Sequence, residues 1–260
     1  MNIVVCIKQV PDTTDIKIDP VTNTLIRDGV ESIVNPFDLY AIEEAVRVKE
    51  TYGGTVTAIT MGPPQAESAL REAVSLGVDN IILLSDRKFA GADTWATSLT
   101  LSAAIKKLGN IDLLFFGQQA IDGDTAQVGP GVAAHLDIEQ ICFVSKIKKI
   151  ENGNVELERL MEDGYDSIST VLPLAISVVK EINTPRLPSL RGKKNAKSAE
   201  LTLWKADDLG LDEKNIGLNG SPTQVVKIFS PQLQKNGEKY EVSADEAVEI
   251  LYNKLKEISR

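Results

Sequence analysis

The chain reads as an α/β protein built on a parallel sheet, and three observations point there. Short apolar runs at Ile3–Ile7, Thr55–Met61, Ile81–Leu84 and Ile111–Phe116 have the length and continuity of strands buried on both faces. Segments of helical length, with apolar residues at helical spacing, lie between them. The fourth run passes directly into a polar, glycine-bearing stretch, FGQQAIDGDTAQVGPG at 116–131, before another helical pattern begins. Strands joined by helices in this way form a parallel sheet covered on both faces, with ligands bound beyond the carboxyl ends of the strands.

Taken in order, Ile3–Ile7 is the first strand. Asp15–Arg27 alternates apolar and polar residues around Pro20-Val21-Thr22-Asn23 and reads as an antiparallel β-ribbon inserted after it. Pro36–Glu50 carries Leu39, Ile42, Ala45, Val46 and Val48 and predicts an amphipathic helix, with proline preorganised for its first turn and Asn35 placed to cap it. Thr55–Met61 is the second strand, Pro64–Leu76 the second helix, Ile81–Leu84 the third strand and Thr94–Leu108 the third helix. Ile111–Phe116 completes the series, followed by a helix from about Thr125 to His135.

The pattern changes near residue 140. Phe143–Leu160 holds two strands around Glu151-Asn152-Gly153-Asn154, a hairpin signal. Val171–Val179 predicts a further strand, Asn183–Lys197 is irregular and locally basic, and Val225–Phe229 predicts a last strand. Ser243 with Glu246 forms a capping box ahead of a helix over Asp245–Ile258, and Lys254 and Lys256 suit its carboxyl end. Residues 1–200 are expected to form the α/β domain and residues 201–260 a C-terminal arm. The arm's helical stripe of Ala247, Val248, Leu251, Leu255 and Ile258 has no evident home in the first domain.

Composition narrows the function. A net charge of −9 argues against a nucleic-acid partner, because phosphate backbones select a cationic surface. Two cysteines, Cys6 and Cys142, do not make a disulfide framework and point to a reducing cytoplasm. No apolar run approaches the roughly 20 residues of a membrane helix. The single histidine, His135, has no cysteine or carboxylate at zinc-ligand spacing, and neither a GxSxG elbow nor a P-loop is present. Asp122 lies too far beyond Phe116 to act as an aspartyl nucleophile at a strand end.

What remains is nucleotide binding without an obvious acid, base or nucleophile, the profile of a protein whose cofactor brings the chemistry. Asp124 with Gln127 reads as a capping box; it either caps only, or orders a turn whose backbone N–H groups face a phosphate or ribose. Asp122 and Asp124 suit scaffolding or sugar contacts better than phosphate contact. Gly91–Ser98 is a second candidate: Asp93 can cap, and Thr94, Thr97 and Ser98 place hydroxyls on the first turns of a helix. One extended ligand, such as a dinucleotide, can touch both loops. Asn35-Pro36-Phe37-Asp38 and Met61-Gly62-Pro63-Pro64 border the same strand ends, and Cys6 reads as core packing whose backbone can meet the same ring.

The chain resembles, from end to end, the β subunit of the electron transfer flavoproteins. The resemblance rests on VVCIKQVPD at 4–12, RDGV at 27–30, NPFD at 35–38, EEAVRVKE at 43–50, GQQAIDGDTAQVGP at 117–130 and NTPR at 183–186. It implies a Rossmann-like nucleotide-binding fold of the adenine nucleotide alpha hydrolase-like type and a heterodimer with a larger α subunit. NADH oxidation is then expected only in complex with that subunit and a dehydrogenase. Family nucleotide contacts carry over to Cys6, Asn35, Pro36, Phe37, Asp38 and Met61. They carry over equally to Gly117, Gln118, Gln119, Ala120, Ile121, Asp122, Gly123, Asp124, Thr125, Ala126, Gln127 and Val128.

The resemblance leaves two nucleotides to choose between. Respiratory relatives hold AMP in this subunit; flavin-bifurcating relatives hold FAD, which takes hydride from NADH and divides the electrons. One electron passes through the α-subunit flavin to a flavin dehydrogenase of acyl-CoA or lactate type, the other to ferredoxin or flavodoxin. Gly123 stands where AMP-binding relatives carry a further acid, so FAD is the expectation here. The alternatives are a structural AMP or a stand-alone adenine-nucleotide sensor. Asn183–Lys197 resembles the partner-recognition loop, with Leu190 at its anchoring leucine; Pro188 is expected to stiffen that loop and Gly192 to loosen it.

Overall fold

The computed structural model describes residues 1–12, 32–226 and 237–258. The predicted ribbon at Asp15–Arg27 lies outside the described residues. β1 (Asn2–Cys6) is followed by a small antiparallel pair, β2 (Gln9–Pro11) with β3 (Ser32–Val34). Then come α1 (Pro36–Tyr52), β4 (Thr55–Met61), α2 (Glu67–Leu76), β5 (Asn80–Leu84), α3 (Thr94–Leu108), β6 (Leu113–Gly117) and α4 (Val128–Leu136). β7 (Glu139–Glu151), β8 (Asn154–Leu160), β9 (Tyr165–Val171) and β10 (Leu174–Val178) complete the strands of the middle region. The remaining elements are α5 (Leu190–Ser198), β11 (Leu201–Trp204), α6 (Ala206–Leu209) and α7 (Ala244–Ile258). None of the described helices is long and apolar enough to cross a membrane.

Nine strands form one sheet in the order β11-β5-β4-β1-β6-β10-β7-β8-β9. The pairs from β11 to β7 are parallel, and those from β7 to β9 antiparallel. This is the Rossmann-like α/β arrangement expected of the sequence. Successive residues of a strand face opposite layers. Val5, Leu113, Phe115 and Ile176 therefore face Ile42 and Val46 of α1, and Ala58, Ile81 and Leu83 face Leu70 and Ala73 of α2. Val4, Cys6, Leu114 and Ala175 face Leu101 and Ile105 of α3 and Val132 of α4. Both faces are dry, which is why the strands read as unbroken apolar runs. The chain runs outward one way from β1 through β4 to β5, then returns to lay β6 on β1's other side. The order thus reverses between β1 and β6, where such sheets open a crevice at their carboxyl ends.

Several elements depart from the sequence expectation for local reasons. The hairpin falls on Asn152 and Gly153, whose φ values of 51° and 80° are those of a tight two-residue turn. The additional strand β9 escapes periodicity because it lies at the sheet's edge with little of either face buried. The helix expected from Thr125 starts at Val128, since Asp124 and Ala126 hold φ of 55° and 54° and cannot be helical. Asn183–Lys197 is not irregular throughout: Ser189 accepts the Gly192 N–H at 2.9 Å and opens α5. The residues from Leu201 do not leave the fold at once, because Leu201–Trp204 extends the sheet alongside β5. One compact unit spans Met1–Val226 and a second Lys227–Arg260. Val225 and Val226 are not in a strand, and the rest of that predicted strand lies outside the described residues. In the second unit the capping box is present, with Ser243 N donating to Glu246 Oε2 at 3.2 Å and Glu246 N to Ser243 Oγ at 3.4 Å.

Gly192 does not loosen its segment; it lets α5 lie flat on α2. A Cβ there would sit 3.0 Å from the Ser75 carbonyl carbon, and Arg71 Nη1 reaches over to Ala196 O at 2.5 Å. Gly192→Ala is expected to cost ~1–3 kcal/mol, as overpacking against backbone does, read as a lower urea midpoint with unchanged m-value. An unchanged midpoint would show that α5 lifts away without penalty.

Candidate functional site

A cavity of about 370 Å³ opens at the switch point. Its floor is a row of residues in register across neighbouring strands: Cys6 of β1, Phe116 of β6 and Ser177 of β10. One wall is the loop from Gly117 to Gln127, which leads into the first turn of α4. The other wall is Asp93, Thr94 and Thr97 at the start of α3, with Met61 at the end of β4.

Three chain segments are joined behind the loop. Asn35 precedes α1, yet its side chain does not cap the helix. Its Nδ2 donates to Asp38 Oδ1 at 3.0 Å and to Gln119 O at 2.8 Å, while its Oδ1 accepts the Ile121 N–H at 3.1 Å. Asp38 Oδ2 accepts the Lys8 N–H at 2.7 Å, and its carboxylate also accepts the Gly117 N–H. Burial outweighs these donors and pushes the Asp38 carboxyl up to about 7. Burial, with Asp38 beside it, likewise drives the Cys6 thiol far up, so Cys6 stays protonated packing. Gly117 is required here: a Cβ would stand 2.7 Å from the Phe37 carbonyl carbon and 2.8 Å from Asp38 N.

The acids of the loop point elsewhere. Asp122 pairs with Lys8 Nζ at 2.5 Å, and Asp124 accepts from Gln119 Nε2. The Asp124–Gln127 capping box does not form, because Asp124 is left-handed and Gln127 Oε1 accepts from Thr94 Oγ1 at 2.9 Å. The two helix starts facing the cavity therefore differ. At α3, Asp93 Oδ1 accepts the Trp95 and Ala96 N–H groups at 3.0 and 3.1 Å, and Oδ2 accepts from Thr223. At α4 no side chain caps, so the Val128 and Gly129 N–H groups carry the uncompensated positive end of the helix into the cavity.

Of the residues singled out in the sequence, Cys6, Asn35, Asp38, Met61, Asp93, Thr94, Thr97, Gly117, Gln118, Gln119, Ala120, Gly123, Thr125, Ala126, Gln127 and Val128 line the cavity. Pro36, Phe37, Ile121, Asp122 and Asp124 do not; they form the frame behind it. Phe116, Gly129 and Pro130, within the singled-out stretch 116–131 though not named as contacts, also line it, as do Lys8 and Ser177. Lys8 lies inside a quoted motif, and Ser177 betrays itself only as a polar residue in an apolar strand. Leu190 is elsewhere, at the first position of α5, 89% exposed like its neighbour Leu187. The segment before it is pinned to α1: Arg186 bonds Glu43 at 2.7 Å and Glu50 at 2.7 Å, and Asn183 Nδ2 bonds Glu44 at 3.0 Å.

Fold and site together define an α/β protein of the doubly wound, Rossmann-like class with a crevice at its topological switch point. The family model "Electron transfer flavoprotein domain" matches residues 22–209. An electron transfer flavoprotein subunit beta of Thermoanaerobacterium thermosaccharolyticum is 52% identical, over 98% of this chain and 98% of its own. The caffeyl-CoA reductase-Etf complex subunit CarD of Acetobacterium woodii is 49% identical over 99% of this chain and 98% of its own. Protein FixA of Azotobacter vinelandii is 48% identical over 89% of this chain and 85% of its own. The chain belongs to the electron transfer flavoprotein β-subunit family.

Asp38 sets a pH dependence. In the unfolded chain it loses its proton near the usual ~3.9; in the folded chain it keeps it to about 7. Its contribution to stability is therefore complete below pH ~4, declines as the pH rises, and is gone above 7. Unfolding free energies from urea titrations at pH 5, 6, 7 and 8 are expected to fall by up to ~1.4 kcal/mol per pH unit, a slope that Asp38→Asn lacks below pH 7. Parallel curves for the two proteins would place the Asp38 titration in the ordinary carboxylate range.

Proposed function

We propose that this chain is the FAD-holding β subunit of a flavin-bifurcating electron transfer flavoprotein, working in a heterodimer with an α subunit. The observation that carries this reading is Gly123. Its φ is not left-handed, and a Cβ there would meet nothing within 4 Å. Neither conformation nor packing within this chain asks for glycine, yet the residue lines the cavity. The space and the missing charge serve a ligand with more than one phosphate.

The neighbouring residues suit that ligand. The free N–H groups of Val128 and Gly129 offer an anion site. The acids that would repel phosphate are turned aside, Asp122 onto Lys8 and Asp124 onto Gln119. Thr94 and Thr97 offer hydroxyls along the far wall to the remainder of a dinucleotide. When bound, FAD supplies hydride acceptance from NADH and one-electron delivery to ferredoxin or flavodoxin and, through the α-subunit flavin, to a flavin dehydrogenase of acyl-CoA or lactate type. The chain's own residues bind and orient; none has to move a proton. The name of the Acetobacterium relative, which places that protein in a reductase-Etf complex, supports a partner of this kind.

A second reading, AMP as a structural nucleotide, draws on the cavity's volume. About 370 Å³ is at the small end for ligand pockets and suits a mononucleotide; under the FAD reading the rest of the cofactor extends toward the α subunit. We assign the exposed face of α7, with Val248, Leu251 and Ile258, to that subunit as well. Nucleotide extracted from anaerobically purified heterodimer decides between the two. FAD is expected at two flavins per heterodimer, one of them bleached by NADH, and Gly123→Asp is expected to retain AMP in place of the second flavin. AMP with a single flavin in the unaltered protein rejects the proposal.

Leu190, with Leu187 beside it, is the docking point we assign to the dehydrogenase. The Arg186–Glu43 and Asn183–Glu44 bonds on one side and the α5–α2 contact on the other hold the leucines in place, so little ordering entropy is lost on docking. Leu190→Ala is expected to slow dehydrogenase reduction about tenfold or more, the scale of a hot-spot residue, while NADH still bleaches the β-subunit flavin at the normal rate. Unchanged transfer to the dehydrogenase removes Leu190 from the interface.

A further inference from the structure

Ser177 is the one polar residue in β10, between Ile176 and Val178. It stands in register with Phe116, which stands in register with Cys6, so it ends the row that floors the cavity. Opposite it the ladder is interrupted. Ile176 pairs with Ile141 and Val178 with Val144, so two residues of β7, Cys142 and Phe143, face one serine. Bulges of this kind gather beside binding sites, where they re-aim a side chain, and are rare between parallel strands. The bulged Phe143 holds a φ of 61°, a left-handed conformation that a bulky residue adopts only when its surroundings enforce it.

The bulge sets the chemistry of the serine. It turns the Phe143 N–H onto Ser177 Oγ at 3.1 Å, which uses the hydroxyl as an acceptor. A hydroxyl also has a proton to donate, and among the described residues nothing accepts it. The residue is 8% exposed and lines the cavity. A buried donor without an acceptor is costly, and the remaining place for one is the cavity itself. The first turn of α4 packs over the same row: a Cβ on Gly129 would stand 3.2 Å from the Phe116 ring. The uncapped N–H groups of α4 and the Ser177 hydroxyl therefore serve the same end of the cavity.

We infer that Ser177 is a further ligand-binding residue, donating its hydroxyl proton to the phosphate held at the N-terminus of α4. This rests on the nucleotide reading above and extends it to a residue on the floor. The test uses the heterodimer stripped of nucleotide, titrated with AMP and with adenosine, for the unaltered protein, Ser177→Ala and Ser177→Thr. Loss of a hydrogen bond to a charged group predicts AMP binding weaker by about tenfold or more in Ser177→Ala, with adenosine binding changed less than about twofold. Ser177→Thr, which keeps the hydroxyl, restores AMP affinity. The rise in melting temperature on adding AMP shrinks in Ser177→Ala, whereas a purely structural serine lowers the melting temperature equally with and without AMP. An equal loss for both ligands, an equal drop in both melting temperatures, or undiminished AMP affinity overturns the assignment of Ser177 alone. Failure of the unaltered heterodimer to bind AMP or FAD overturns the nucleotide reading beneath it.

Discussion

The site depends on one buried amide–carboxyl contact, that between Asn35 and Asp38 at the head of α1. Asn35 gives protons to Asp38 and to Gln119 O and takes one from Ile121 N, so both ends of its amide are satisfied. A carboxylate cannot donate and an ammonium cannot accept, so an amide is the side chain that closes this circuit. Asp38 collects N–H groups from Lys8 and Gly117, the second residue beyond the central strand β1 and the last of β6. The crevice between β1 and β6 is thereby tied to the helix behind it. Cutting the circuit would strand several buried polar groups, each costing roughly 1–3 kcal/mol. The tie also sets the close approach at Gly117, where backbone meets backbone.

That frame explains how an acidic chain can present a site for an acidic ligand. The loop's carboxylates are not absent; they are engaged. Asp122 sits on Lys8, Asp124 on Gln119, and Asp38 lies under the loop with its ionisation held up by burial. Of the two helix starts at the cavity, α3 spends its first N–H groups on Asp93, whose carboxylate also bonds Thr223. α4 has no such cap. α4 presents the N–H groups of both Val128 and Gly129 to an anion, whereas α3 keeps only that of Thr94 beside its threonine hydroxyls. Under the proposed reading, the phosphate falls at α4 and the rest of the ligand toward α3 because of this difference in capping rather than any excess of positive charge.

Much of this was legible in the chain itself. Continuous apolar runs separated by helical stripes located β1, β4, β5, β6 and the three helices between β3 and β6, because burial on both faces leaves that signature. The proline at 36, the aspartate at 93 and the serine–glutamate pair at 243 and 246 marked helix starts that the structure reproduces within a residue or two. Less legible were elements whose cause lies in a neighbour. β9 has no dry face and hence no period. α5 looked irregular because its glycine and asparagine are poor helix formers; its cap at Ser189 and its seat on α2 decide the matter. Gly192 read as slack and proved to be a contact.

Local chemistry thus determined the class of the protein, the stretch from Gly117 to Val128 as its candidate ligand loop, and the family that the motifs spell out. Those properties follow from burial pattern, turn residues and short-range spacing, all carried by adjacent residues. Which loop acids face the cavity, which helix start stays open, and the admission of Lys8 and Ser177 to the site were decided only by tertiary structure. Each of these depends on a hydrogen bond between residues far apart in the chain: Lys8 with Asp122, Thr94 with Gln127, Phe143 with Ser177. Whether a polar group serves its own fold or a ligand depends on whether such a partner has already claimed it.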